Sequence, residues 1–232
     1  MQWHDLLFAH WPLRPDVLRP LIPPSLALDT FEGDAWLGVV PFRMAGVRQR
    51  LSPPLPHLSA FPELNVRTYV VAGGKPGVWF FSLDAANPLA VHAARFAFHL
   101  PYFNASMRCD PTAGGVRYAS VRTHRGAPPA ELRADYGPIG PVRHAARGSL
   151  EAWLTDRYCL YSANRAGRVW RAEVDHARWP LQPAWADVRR NTMASQIGIG
   201  LATPPLLHFS RRLDVIAWGI EPVRAPDTSR YA

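Results

Sequence analysis

The stretch FPELNVRTYVVAGGKPGVWFFSLDAANPLAVHAARFAFHLPYFNASM, residues 61–107, decides the fold class, because it reads as strand, turn, strand, helix and an abrupt loop. From Glu63 to Tyr69 polar and apolar residues alternate. That spacing puts Glu63, Asn65 and Arg67 on one face and Leu64 and Val66 on the other, as in a half-buried strand. Gly73-Gly74-Lys75-Pro76-Gly77 supplies the positive-φ and fixed-φ positions of a reversal, so Val78–Leu83 is expected to return antiparallel, with Lys75 exposed in the turn. Val78, Trp79, Phe80, Phe81 and Leu83 are apolar on both faces, the mark of a strand covered on both sides. Asp84–Asn87 offers cap residues before Pro88. Leu89–Phe98 is then rich in helix formers, and Pro101 ends the helix by removing a donor and restricting the residue before it.

Upstream, Pro15–Leu26 predicts a short helix stopped by Pro23-Pro24, and Leu26–Thr30 and Ala35–Met44 flank Glu32-Gly33-Asp34 as a second hairpin. Leu51–Phe61 is a proline-rich irregular loop, either a cover over a cavity mouth or a plain surface connection. Downstream, Val116–Arg122 alternates as a strand, and Ala127–Arg147, with its Gly-Pro pairs, reads as a long loop. Ser149 caps a helix carrying Leu150, Trp153, Leu154 and Tyr158 on one face. Val169–His176 alternates again. Asp187–Ile197 reads as a last helix ended by Gly198, Leu206–Phe209 and Asp214–Trp218 close the sheet, and the end from Arg224 frays. The strands at 36–44, 63–72, 78–84, 116–122 and 168–176 are expected in one strongly curved antiparallel sheet.

The chain has 232 residues and no shift of composition along it, so it reads as a single domain, 1–232. The opening shows no basic, then apolar leader, and no run approaches the length of a membrane span; the expectation is a soluble, cytoplasmic protein that does not engage a membrane. In that compartment Cys109 and Cys159 are expected as reduced thiols. A formal charge of +8 and a pI near 10.2 raise nucleic acid as a partner. The basic residues are scattered and almost all arginine, with Lys75 the only lysine, and no recognition motif accompanies them, so nucleic-acid binding is not expected.

Familiar catalytic signatures are missing. There is no GxxxxGK[ST], Gly73–Gly77 sits between strands as a hairpin turn, and there is no GxSxG elbow. His92 and His99 lie seven apart, with no HExxH or paired-cysteine spacing beside them, so no metal and no cofactor is expected. Glu63, Asn65 and Arg67 are the sharper case. Either they converge inside a barrel, where a carboxylate and a guanidinium orient a small polar ligand, or they form the solvent face of a strand.

The segments PELNVRTYV, PGVWFFSLDA and HLPYFN, with HWPLRPDVLRPLIPPSL, LEAWLTDRYCLYS, HARWPLQPA and PPLLHFSRRLDVIAW, resemble the uncharacterised YqjF-like family over residues 3–223. That family in turn resembles acetoacetate decarboxylase in fold. The resemblance implies an α+β, mainly antiparallel protein, a closed or strongly curved β-barrel or cone with a central cavity, a few flanking helices, and relatives that form oligomers. It places Glu63 at the decarboxylase family's carboxylate, His4 at its pocket arginine, and Tyr102-Phe103 at its lysine pair. Schiff-base chemistry needs a lysine of depressed pKa, and this sequence has none at that point. The expectation is therefore a small-molecule-binding protein, with His4, Glu63, Arg67, Trp79, Tyr102 and Phe103 lining the cavity. The alternative is a lyase or enolising isomerase in which Glu63 is the catalytic acid or base and His4 or Tyr102 polarises a carbonyl.

Overall fold

The computed structural model describes residues 1–47 and 59–223. The strands are β1 (Gln2–Leu13), β2 (Ala27–Leu28), β3 (Ala35–Ala45), β4 (Phe61–Ala72), β5 (Lys75–Ala85) and β6 (Tyr102–Thr112). They continue with β7 (Gly115–Arg122), β8 (Glu131–Pro138), β9 (Cys159–Ala163), β10 (Val169–His176), β11 (Gln182–Asn191) and β12 (Leu206–Pro222). Among the described residues three α-helices accompany them: α1 (Pro15–Leu18), α2 (Pro88–Phe98) and α3 (Leu150–Thr155).

The pairings are antiparallel except where β5 meets β6 and β9, and they close on themselves twice. Both circuits share the wall β5–β4–β3–β1–β12. One closes through β10 and β9; the other closes through β11, β8, β7 and β6. The closure depends on strand length. The 17-residue β12 is about 56 Å long at roughly 3.3 Å per residue, enough to serve two neighbours in tandem along one edge. It pairs with β11 at His208 and Phe209 and with β10 from Val215 onward. On β5, Val78 and Trp79 pair with β9, while Leu83–Ala85 pair with β6. Bulges between Val66 and Arg67, between His4 and Ala9, and between Ala172 and Val174 supply the local bends.

Because the wall belongs to both circuits, each of its faces is an interior. Leu7, Val39, Leu64, Val66 and Phe209 pack with Tyr118, Leu132 and Tyr136 on one side. Leu6, Phe8, Val40, Phe42, Phe61 and Ala85 pack with Val174, Trp179 and Val215 on the other. This corrects the half-buried reading of β4, where every residue but Pro62 and Val71 is buried.

The hairpin β4–β5 and the helix after it form as their sequences dictate. Gly73 and Gly74 turn at φ 58° and 74°. Asn87 accepts from the Leu89 and Ala90 amides at 3.1 Å, and Pro88 takes the first helical position. His99 ends the helix in the left-handed region. Other expectations are overturned. Lys75 is not in the turn but is the first residue of β5, paired with Ala72, half-exposed, with its ammonium on Glu173. Leu26–Thr30 forms no hairpin with β3, since β2 pairs with β4. The abrupt loop expected to end the 61–107 stretch is strand, since β6 runs Tyr102–Thr112, and β8 lies inside the supposed loop 127–147. Asp187–Asn191 belongs to β11, leaving only a 3-10 turn at Ser195–Ile197; pairing with β8 outweighs its helix-forming composition. The expectations for 51–58 and from Arg224 onward fall outside the described residues.

The β5–β9 seam rests on Gly77, where a Cβ would stand 2.6 Å from the Cys159 carbonyl oxygen and 2.8 Å from the Tyr161 ring. Gly77→Ala is therefore expected to destabilise the protein by about 1–3 kcal/mol, a fall of several degrees in Tm. An unchanged Tm in thermal unfolding would show that the two strands do not approach this closely.

Candidate functional site

The Glu63–Asn65–Arg67 face of β4 looks into the circuit closed by β9 and β10. Glu63 stands opposite Phe42 and Ala85, and Asn65 opposite Val40 and Leu83. The side chains are 3%, 5% and 9% exposed, so the solvent-face reading of this alternation does not hold. Tyr69 continues the column, fully buried.

At one end the Tyr102 hydroxyl donates to Glu63 Oε2 at 2.9 Å. Pro101 ends the stretch after α2 so that β6 begins beside Leu83–Ala85, which carries Tyr102 to the carboxyl. From the opposite face the Tyr118 hydroxyl donates to the Glu63 carbonyl at 2.7 Å and fixes the backbone. Burial pushes the Glu63 carboxyl up from 4.5 to about 8; the Tyr102 hydrogen bond opposes this and the nearby Asp84 charge adds to it. At neutral pH the protonated, neutral form of Glu63 therefore predominates. Burial and the adjacent Glu63 push the Tyr102 phenol well above its ordinary range, so it remains a donor.

At the other end Arg67 lies about 13 Å along the strand from Glu63, so the two form no ion pair. Arg67 Nη2 reaches the Leu154 carbonyl of α3 at 3.4 Å, and its guanidinium stands 5.5 Å from the Phe8 ring centre and 5.8 Å from that of Tyr69. The Tyr69 hydroxyl donates to the same carbonyl at 2.9 Å and lies 2.7 Å from His10 Nε2. His10 is fully buried on β1; burial, then Arg67 and His208, hold its imidazole well below the ordinary range and therefore neutral.

The structure thus brings Glu63, Arg67 and Tyr102 to one interior face and sets the other candidates apart. His4 lies between Arg43 and Arg212 on the neighbouring strands, part-exposed, with Nε2 3.2 Å from Gln2 Oε1. Trp79 packs with the Ile22, Leu26 and Val70 cluster. Phe103 points away from Tyr102 and lies under the Arg122 guanidinium at 4.1 Å, which Asp84 holds at 2.6 and 2.7 Å. Lys75 pairs with Ala72, nine residues along β4 from Glu63, so the chain's only lysine is about 30 Å from the carboxyl. Among the described residues no group of three or more His, Cys, Asp or Glu side chains is placed to hold a metal ion. Two depressions of about 420 and 880 Å³ open among the described residues, and neither is lined by Glu63 or Tyr102, so the expected cavity around these two is not among them. The smaller one touches Phe61, Pro62 and Asn87, next to Glu63 at the start of α2.

Sequence reasoning missed His10 and Tyr69. Tyr69 was within reach, since the alternation from Glu63 arrives at it two residues after Arg67. His10 carried no signal until β1 was recognised as a strand.

The family model of DUF2071, described as an uncharacterized conserved protein, matches residues 1–214. The chain belongs to the DUF2071 family. The uncharacterized protein YqjF of Bacillus subtilis (strain 168) is 44% identical over 217 residues, which is 93% of this chain and 88% of that protein. Among solved structures, the enduracididine biosynthesis enzyme MppR complexed with pyruvate aligns with a TM-score of 0.63 at 12% identity, over 97% of this chain and 91% of that one. The acetoacetate decarboxylase of Legionella pneumophila subsp. pneumophila str. Philadelphia 1 gives 0.61 at 13% identity, over 97% and 88%. An acetoacetate decarboxylase-like enzyme from Sphingomonas wittichii RW1 gives 0.63 at 11% identity, over 97% and 92%. At these identities the likeness speaks for the fold alone.

Burial of Glu63 couples its protonation to folding. Between pH 4.5 and about 8 the folded state holds a proton that the unfolded chain releases, so stability is fully present below 4.5 and falls as pH rises, by about 1.4 kcal/mol per unit until the folded group ionises. Glu63→Gln mimics the neutral acid at every pH. Denaturant melts are expected to show the variant matching wild type at pH 4.5 and exceeding it at pH 8 and above; parallel pH profiles would show that Glu63 titrates normally.

Proposed function

We propose that this protein binds a small organic molecule inside the circuit closed by β9 and β10, on Glu63, Asn65, Arg67 and Tyr102, and forms no imine with it. On this reading the circuit serves as the closed, cone-like barrel of the decarboxylase fold. The observation that carries it is the polar column itself. Three successive inward positions of a strand buried on both faces hold an acid, an amide and a guanidinium, and among the described residues no carboxylate lies within 4 Å of Arg67. A buried cation without a counter-charge is costly to folding, and an anionic ligand offsets that cost. The neighbours' association with pyruvate and acetoacetate suggests a small carbonyl-bearing acid as the first probe.

A second reading draws on Glu63. A carboxyl that stays protonated to about pH 8 beside a phenol donor is suited to give a proton to a carbonyl oxygen or an enolate carbon, and as carboxylate to take one back. That is the chemistry of an enolising isomerase or a lyase without an amine nucleophile.

Both readings are open to test by NMR. Pyruvate titrated into the labelled protein is expected to perturb residues 63–69 and 102, and borohydride added with acetoacetate to leave the intact mass unchanged. A trapped adduct on Lys75, or no perturbation by either acid at millimolar concentration, would overturn the proposal. Loss of the pyruvate methyl signal in D₂O, faster with wild type than with Glu63→Gln, would select the enzymatic reading.

A further inference from the structure

The Arg67 end of the column carries a more specific message. Leu206, His10, Gly38, Arg67 and Phe80 form one row across β12, β1, β3, β4 and β5. Gly38 is what lets the row close over itself: a Cβ there would lie 3.1 Å from His10 Cδ2 and Nε2 and 3.3 Å from Arg67 Cγ. The imidazole and the arginine stem therefore share the space above a residue with no side chain.

Proton accounting fixes what this end presents. The Tyr69 hydroxyl has one hydrogen, and its oxygen stands 2.9 Å from the Leu154 carbonyl, which has none. Two lone pairs at that distance would repel, so the tyrosine hydrogen lies between them. The 2.7 Å contact between Tyr69 and His10 Nε2 must then be donated by the imidazole. A neutral imidazole has one N–H, so Nδ1 is left as a bare lone pair, buried and with no partner among the described residues. Among the described residues Asn65 Oδ1, on the same face, is a second buried acceptor without a partner, and the Arg67 Nε–H is a buried donor without one. Each such group opposes folding as long as it stays unsatisfied.

We infer that His10, Asn65 and Arg67 are the recognition end of the proposed site, built for a small carboxylate that also carries a hydroxyl or amine donor. The carboxylate accepts from Arg67, and the donor satisfies His10 Nδ1 or Asn65 Oδ1. A bare carboxylate or a 2-keto acid meets only half of this demand, because its remaining oxygens face the two acceptors lone pair to lone pair. A 2-hydroxy acid meets both halves. The inference rests on the column being a binding site and adds the class of ligand.

Glycolate, acetate and pyruvate, titrated separately by calorimetry, provide the test. Glycolate is expected to bind at least tenfold more tightly than acetate or pyruvate, a difference of about 1.4 kcal/mol. Gly38→Ala, which fills the shared space, should weaken glycolate at least tenfold. His10→Phe should remove the preference for glycolate over acetate, and Arg67→Met should abolish binding of all three. Should a variant fail to fold, the wild-type protein decides the matter alone. In long-range ¹H–¹⁵N spectra His10 Nδ1 should resonate as an unprotonated nitrogen and move toward the hydrogen-bonded position with glycolate but not with acetate. Equal affinities for the three acids, or a protonated Nδ1 in the free protein, would overturn the inference while leaving the binding reading intact. No binding of any acid would sink both.

Discussion

A wall with two interiors governs this molecule. Five strands, β5, β4, β3, β1 and β12, belong to both circuits of pairing, so neither face of β4 meets water. A half-buried strand has a polar face because water is there to solvate it. On β4 that explanation fails, and Glu63, Asn65 and Arg67 stand against Phe42, Val40 and Gly38 inside the fold. Whatever satisfies these groups must be carried by the protein or brought in by a ligand.

The protein answers this demand unevenly. Asp84, one strand away and directed to the other interior, is held bidentate by Arg122, which Gln196 also supports. Among the described residues Glu63 has only the Tyr102 hydroxyl as a side-chain partner, and burial outweighs that one hydrogen bond, so the carboxyl takes a proton instead of a counter-ion. Arg67 has no comparable escape, because a guanidinium does not give up its proton in a protein. It leans on the Leu154 carbonyl of α3 and the faces of two aromatic rings, which lessens the cost of burial without supplying a negative charge. The acid end is therefore settled within the protein, and the cationic end is not.

Much of this was legible in the residues. The hairpin β4–β5 and α2 followed from the turn glycines, Asn87, Pro88 and Pro101, all local signals. The convergence of Glu63 with Tyr102 came from the resemblance to a decarboxylase fold: Phe103, Ala105, Met107 and Cys109 alternate with Asn104, Ser106, Arg108 and Asp110, but that period sets Tyr102 among the polar positions and says nothing of its partner on β4. β1 was hidden for the opposite reason: Leu6 to Trp11 is buried at every position, and a strand covered on both faces shows no period of two. With β1 unread, His10 had no register and Gly38 no meaning. The same blindness made residues 187–191 look helical, since an exposed, charged strand advertises itself only through its partner β8. Pairing with distant strands is a non-local fact, and the sites built on it are legible only once the register is known.

The charge state of Glu63 separates a buried, pre-neutralised acid from an ordinary surface carboxylate. In protein labelled with ¹³Cδ-glutamate, one carboxyl resonance is predicted to keep its protonated shift until the pH approaches about 8 and to be missing from Glu63→Gln. If every glutamate resonance titrates in the ordinary carboxylate range, Glu63 is solvated, and the polar column is not the interior feature described.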